Sequence, residues 1–366
     1  MRLTFVGDIA FGSTICSVGD PYRHIYSEIC KGDLFFLNWE FPFTLLWEPE
    51  SVTSYKGYAV DVSLSDHLLS PLANSIASIA NNHIRDWGLE GINTTLKLLQ
   101  RHDINPVGID WGDGSPQKPF IITKDNLTIG FLAYAKKYEF SAHEEYPGAA
   151  LIEFNKIKKD IFLLKKKVDH VVISLHWGTE FSEYPKPEEL LLGRKTIDCG
   201  ASLIIGHHAH VLQGYEKYKD GYIFYNIGSF IFDPLGEKVV DNAALERRIK
   251  SIIVHIELEK DSIRLLDIIP CRFNIEEKKV IISNGIYRDD DLNYLHKISI
   301  GLEEGAKRFY QVAGKDLLWR ELKHEWYLIK KYKLSGIKAI VKNLRLRHFR
   351  IILGLILSKL YNKKTK

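Results

Sequence analysis

The 366-residue sequence is poor in cysteine and in long apolar runs. Its four cysteines, Cys16, Cys30, Cys199 and Cys271, are widely spaced and form no CxxC pair. That excludes a zinc ribbon or a disulfide framework and fits free thiols in a reducing compartment. No run reaches the roughly 20 apolar residues of a membrane-spanning helix; the nearest, at 351–357, stops far short. Residues 1–6 lead straight into Gly7-Asp8 with no apolar h-region or cleavage site, so no signal peptide is expected and the expected location is cytoplasmic. There is no GxSxG nucleophile elbow and no GxxxxGK[ST] phosphate loop, which leaves that kind of serine hydrolase and the P-loop nucleotide hydrolases without support. Internal repeats and low-complexity linkers are also missing. Finally, residues 331–366 lack acidic side chains altogether. They carry eleven Lys or Arg, leaving 39 basic against 46 acidic residues elsewhere, and so predict a neutral-to-acidic body with a basic tail.

What is present is the composition of a chain with a sizeable core: 45% hydrophobic and 26% charged residues, the balance of globular proteins. Short, mostly apolar runs at 3–6, 34–37, 76–80, 129–134, 171–175 and 203–205 read as strands buried on both faces. Helical spacing of apolar residues at 91–99 and 188–199 falls between them, with Gly200 as a C-terminal cap. This alternation predicts an α/β fold. A second strand group at 222–227, 252–258 and 264–269 is expected to complete the same domain as a second packed sheet. From about 290 the pattern turns helical, at 292–313 and 317–332, and the tail continues as a basic amphipathic helix. The expected division is a domain over 1–285 and a helical basic region over 286–366.

Five of the strands end directly in residues that bind metals or move protons: Gly7-Asp8, Asn38-Trp39-Glu40, Asn81-Asn82-His83, His176-Trp177-Gly178 and Gly206-His207-His208-Ala209-His210. Ligands in open α/β sheets bind beyond the carboxyl ends of the strands, so five such endings can converge on one pocket. Asp, Glu, Asn and His together form a mixed oxygen and nitrogen set suited to Zn, Mn or Fe. Two neighbouring cations can clamp a phosphoryl group and make a hydroxide nucleophile from water. An adjacent imidazole can protonate the leaving oxygen. Each cluster alone has a plainer reading: Asp8 as a cap, Glu40 as a surface carboxylate, Asn82-His83 as a buried polar network. Three histidines within four positions are harder to explain by packing.

At these residues the chain resembles the CapA family of poly-γ-glutamate synthesis or capsule biosynthesis proteins, which is similar in fold and motif order to the calcineurin-like metallophosphatases. The resemblance covers about residues 1–275. It runs through Gly7-Asp8-Ile9, Asn38-Trp39-Glu40-Phe41-Pro42, Ala80-Asn81-Asn82-His83, the run from Ser174 to Glu180, the run from Ile205 to Val211, and the run from Gly228 to Asp233. It implies a four-layer α/β/β/α sandwich with a metal site at its edge, here with a helical, basic C-terminal extension. It also implies roles: Asp8, Glu40, Asn82, His176, His208 and His210 as ligands of one or two divalent transition metals, and His83 as the catalytic proton donor. Asn38, Asp86, Glu180 and His207 are accessory candidates. Asp86 either caps the following helix or supports His83, and strand alternation can turn His207 away from the metals. Trp39 and Trp177 are expected to pack.

Three departures from the pattern stand out. Ala10 replaces the histidine usual two residues after the first Asp, so one metal site can be incomplete. Ala209 and Ser229 replace a proline and an asparagine. Many relatives carry an N-terminal anchor or export signal, whereas this sequence starts at its first strand. The expected function is a metal-dependent hydrolase or transferase of polymer biosynthesis, with metal-bound hydroxide attacking a phosphoryl or acyl/amide centre. The expected partner is an anionic polymer or a phosphorylated substrate. The alternative is a non-catalytic metal-binding component of a membrane-associated synthesis or export complex. The basic tail suits a membrane surface or a synthase partner, the former making the protein peripheral to the membrane, and no specific nucleic acid is expected.

Overall fold

A computed structural model describes residues 1–11, 20–45, 58–113, 117–137, 147–232 and 241–312. The basic tail, Cys16 and Asp233 lie outside the described residues. In chain order the main elements are β1 (Arg2–Ala10), β2 (Leu34–Trp39), β3 (Ile76–Ser78), α1 (Gly88–Arg101), β4 (Asn105–Val107), β5 (Phe120–Lys124), β6 (Leu127–Ala135), α2 (Phe154–Leu164), β7 (His170–His176), α3 (Pro187–Asp198), β8 (Leu203–His207), β9 (Tyr215–Tyr218), β10 (Gly221–Phe224), β11 (Ser229–Phe232), β12 (Lys250–Glu259), β13 (Ser262–Asn274), β14 (Lys279–Ile282), α4 (Gly285–Ile300) and α5 (Leu302–Val312).

Two mixed sheets carry the architecture. The larger runs β14-β13-β12-β1-β2-β3-β4, with β11 also paired to β1. The smaller runs β9-β10-β8-β7-β6-β5. The smaller sheet has parallel central strands and an antiparallel strand at each edge, whereas the larger sheet is parallel from β1 through β2 and β3 to its β4 edge and antiparallel through β12, β13 and β14 on the other side. The early apolar runs thus divide between the sheets, three to each, and every one of them extends to or past its expected length except β3. The later strands do not form a sheet of their own, contrary to expectation. β10 joins the smaller sheet beside β8, while β12 and β13 extend the larger sheet from the open side of β1. Hairpin pairing to an existing edge satisfies their backbone groups without a third sheet.

Alternation along the strands shows which face goes where. On β6, β7 and β8, residues Ile129, Phe131, Ala133, Val172, Leu203 and Ile205 join the core shared with the larger sheet. Their neighbours Leu132, Tyr134, Val171, Ile173, Leu175 and Ile204 pack instead with Ile157 and Ile161 of α2 and Leu190 and Ile197 of α3. Phe36 of the larger sheet stacks on Phe131 of the smaller at 6.0 Å. On its outer side, the larger sheet is covered in part by α1, through Ile92 and Leu99. The result is the expected α/β/β/α layering. Gly200, at φ +108, follows the end of α3 as expected of a left-handed cap. The helical run expected at 292–313 begins earlier and is split at Gly301 into α4 and α5.

An ion network fastens α4 to the larger sheet. Asp291 is 1% exposed. It accepts two hydrogen bonds from Arg272 at 2.8 and 2.7 Å and one from Ser283 at 2.8 Å, and Lys250 lies 2.8 Å away. Together these hold its carboxyl below the usual range against the upward push of burial. Removing one member leaves buried charge uncompensated, which costs about 3–5 kcal/mol. Asp291→Ala is therefore expected to lower unfolding free energy by about that amount in urea titration; a change within the scatter of surface substitutions would contradict the assignment.

Candidate metal centre

The carboxyl ends of β1, β2, β7 and β8 meet at one edge of the sandwich. Asp8 lies at the end of β1, opposite Asn38 of β2 on one side and Ser229 of β11 on the other, and a register shift follows it on the β11 side. Close strand approach there depends on glycine. A Cβ on Gly7 would come 1.8 Å from the Gly228 carbonyl oxygen, and one on Gly206 would come 1.9 Å from that of Tyr225. Larger residues before Asp8 and His207 would force the strands apart.

Asp8 is fully buried. Its Oδ1 accepts from Asn38 Nδ2 at 2.9 Å and lies 3.0 Å from His207 Nδ1. Its Oδ2 accepts from the His208 amide at 3.0 Å and lies 3.4 Å from His210 Nδ1. Burial alone would raise its pKa, but His207, His210 and the His208 amide outweigh that and hold the carboxylate below its ordinary value. His207 is thus turned toward the cluster: it pairs in register with His176 on the inner face of the smaller sheet. Its Nε2 has no hydrogen-bond partner among the described residues, and neither has Asn38 Oδ1.

Glu40, also buried, reaches His210 Nε2 at 3.4 Å and His176 Nε2 at 3.9 Å. Asp8, Glu40 and His210 each place a ligand atom within 4.8 Å of the others. Ser229 steadies the imidazole of His210 with a contact of 2.8 Å to Nδ1, and Phe232 stacks on it at 4.4 Å. His208 and His210 both occupy left-handed backbone, at φ +88 and +54. Such conformations cost about 1–3 kcal/mol for non-glycine residues and cluster at functional sites.

Burial first, and the neighbouring imidazoles next, push His176 well below its ordinary value; His208 falls likewise, through burial, His210 and Lys136. His210 falls to about 4, chiefly through burial. Near neutral pH the cluster therefore presents ionised carboxylate and neutral imidazoles, the protonation states a divalent transition metal requires of its ligands. The donor set fits such an ion.

The third motif forms the neighbouring side of the cluster. Asn81 builds its turn, accepting from the amides of His83 and Ile84 at 3.0 and 2.8 Å and donating to the Trp39 carbonyl at 2.8 Å. Asn82 bridges the two halves of the site: its Oδ1 is 2.8 Å from His176 Nε2 and its Nδ2 is 3.0 Å from His83 Nε2. His83 Nδ1 is 2.8 Å from Asp86 Oδ2. Asp86 does not cap α1, whose first turn follows Trp87 without a side-chain cap. Both neighbours of His83 agree on one tautomer, with Nδ1–H donating to Asp86 and Nε2 accepting from Asn82. Phe41 and Tyr58 meet the imidazole edge-on at 5.2 and 5.1 Å. Trp39 and Trp177 are buried and packed, Trp39 on Phe43 and Trp177 on Tyr225. Glu180 is half-buried in the turn before Phe181, whose amide donates to the Ala209 carbonyl at 2.7 Å.

Residues 2–234 match the family model described as "Bacterial capsule synthesis protein PGA_cap". The chain belongs to this family. This PGA_cap chain is 27% identical over 309 residues to the capsule biosynthesis protein CapA of Bacillus anthracis, covering 79% of this chain and 72% of that one. It is 28% identical over 265 residues to the PGA biosynthesis protein CapA of Bacillus subtilis strain 168, covering 68% of each. Among solved structures it is similar to the calcineurin-like phosphoesterase YfkN from Bacillus subtilis, at 12% identity and TM-score 0.43, covering 84% of this chain and 98% of that one. It is also similar to a 5'-nucleotidase precursor from Thermus thermophilus, at 14% identity and TM-score 0.46, covering 81% of this chain and 59% of that one.

Sequence reasoning passed over two contributors to the PGA_cap site: Asn81 and Ser229 stood inside recognised motifs without a role.

The depressed histidines fix a pH dependence. Unfolded histidine titrates near 6.5, whereas His210 in the folded chain titrates at about 4 and the other two lie lower than 6.5 as well. The unfolded chain therefore binds more protons across that interval. Stability of the metal-free protein is expected to be fully present above about pH 6.5 and to fall as pH drops toward about 4. Urea midpoints measured from pH 7.5 to 4 test this; a midpoint unchanged over that range would contradict it.

Proposed function

We propose that the chain is a metal-dependent hydrolase or transferase of capsule or poly-γ-glutamate-type polymer biosynthesis, acting at a phosphoryl or acyl/amide centre. One observation carries the reading: three buried residues with metal-ligating side chains, in or just beyond separate strands, converge beside an oriented His–Asp pair. Asp8, Glu40 and His210 would hold the cation, with His176, His208 and Asn82 close enough to complete its shell or to bind a second. When bound, the cation supplies Lewis-acid polarisation of the substrate and acidifies water.

The remaining chemistry belongs to the side chains. His207, Asn38 and the His208 amide fix the carboxylate of Asp8. Ser229 and Phe232 fix the ring of His210. Asp86 holds His83 by Nδ1, so that Nε2 is the nitrogen directed at the cluster. With a second proton on Nε2, His83 can protonate a departing oxygen or nitrogen, and Asp86 stabilises the imidazolium until it does so. Asn82 keeps His83 in reach of the ligands by hydrogen-bonding to it and to His176.

A non-catalytic role in a polymer-synthesis assembly is the second reading, and Ala10 favours it. This residue is buried in register with Phe232, so the position that usually supplies an imidazole supplies none. One tightly held cation is then the expected stoichiometry. Residues 331–366 would provide the basic surface for an anionic membrane or a synthase partner in such an assembly.

His83→Ala separates the readings. Metal content by mass spectrometry should match the parent. Turnover on a panel of phosphomonoesters, phosphodiesters and γ-glutamyl compounds should fall by about 10²- to 10⁴-fold, the usual worth of a positioned general acid. Asp86→Asn should retain more. Parent protein that is fully loaded yet turns over nothing in the panel would favour the second reading. Undiminished turnover by His83→Ala would remove His83 from the mechanism.

A further inference from the structure

We propose that the outer face of α2, with the turn that closes it, docks on the anionic surface of a lipid bilayer. The proposal goes beyond both readings of the metal centre, depends on neither, and does not involve residues 331–366. α2 packs inward through Ile157, Ile161 and Leu164, at helical spacing, which fixes the opposite stripe as its outer face. There the usual polar surface is interrupted. Phe162 is 62% exposed and its neighbour Leu163 41%. Lys158 and Lys159 stand one turn before this pair, Lys165, Lys166 and Lys167 follow it, and all five are exposed. Residues three and four apart are neighbours on a helix surface, so the apolar pair is ringed by ammonium groups. Lys166 Nζ lies 4.3 Å from the centre of the Phe162 ring.

The positive charge of this face is not cancelled locally. The one acid between 154 and 167, Asp160, is buried and accepts from the Tyr134 hydroxyl at 2.8 Å. Asp169, just beyond the turn, accepts from the Thr128 amide at 2.8 Å and offers Lys165 only its carbonyl, at 2.7 Å. Lys156, on the inner side, is the lysine that meets a carboxylate, Asp110 at 2.5 Å. Among the described residues none of the five outer lysines is in an ion pair. A partner must therefore be negative and must also take up Phe162 and Leu163. A bilayer with anionic headgroups does both: lysine stems lie along the apolar pair while their ammonium groups reach lipid phosphates and carboxylates, and the pair enters the acyl boundary. An acidic polymer would answer the charge and leave the apolar pair in water. A second copy docked through the same face would set lysine against lysine.

Sedimentation of the full chain with two kinds of vesicle tests this: phosphatidylcholine alone, and phosphatidylcholine with phosphatidylserine in equal parts. The parent should bind the second and not the first, and binding should weaken as salt rises. Each lysine at an anionic surface is worth roughly fivefold in partitioning, so Lys158→Gln, Lys166→Gln and Lys167→Gln together should lower it about 100-fold. Phe162→Ser with Leu163→Ser should lower it about tenfold or more. Both sets are exposed positions and should keep the parent's urea midpoint within the scatter of surface substitutions. Lys97→Gln, exposed on α1 at the other side of the sandwich, should bind as the parent does. The proposal is overturned if the parent binds neither vesicle, or if both α2 variants bind as the parent does. It is also overturned if the lysine variant loses binding while the double serine variant keeps it, the pattern of a face that holds an acidic polymer by charge alone.

Discussion

The buried carboxylate of Asp8 is the junction on which the site depends. Taking an ionised carboxylate out of water costs several kcal/mol even after relaxation. That cost is offset only if its oxygens are met by donors and positive charge. Here the donors come from two parts of the chain: Asn38 from β2, and the His207 ring, the His208 amide and the His210 ring from the end of β8 and the loop after it. Strands from both sheets are thereby tied to one atom pair. The glycines before Asp8 and His207 let β1 pack against the Gly228 carbonyl and β8 against the Tyr225 carbonyl, where a Cβ would not fit.

The same junction explains the electrostatics. A low-lying carboxylate beside neutral, deeply buried imidazoles is an unfavourable place for protons and a favourable one for a cation. The strain in the His208 and His210 backbones follows from the need to turn three successive donor groups, the His207 ring, the His208 amide and the His210 ring, toward Asp8 within four residues. His207 brings an imidazole to Asp8 from the facing sheet.

Much of this was legible in the sequence because strand ends are. An apolar run followed at once by Asp, Glu, Asn or His announces both a buried strand and the place where it opens, and five such endings were enough to assemble the pocket in outline. Three features were not legible. The division of strands between two sheets was misjudged, because a run such as 252–258 carries no mark of which free edge it will join. The orientation of His207 was left open because strand phase cannot be counted until the strand's inner face is known; Val172, Leu203 and Ile205 settle it only in three dimensions. Asp86 could not be told from a helix cap, because both roles ask for a carboxylate two residues before α1. The difference lies in where His83 and the Tyr58 amide sit.

If Asp8, Glu40 and His210 share a cation, as proposed, crystals grown with manganese or zinc should give an anomalous-diffraction peak bonded to all three, and the peak should be lost in Asp8→Ala. Crystals that take up neither metal at that position, or take it up only at surface residues, would contradict it.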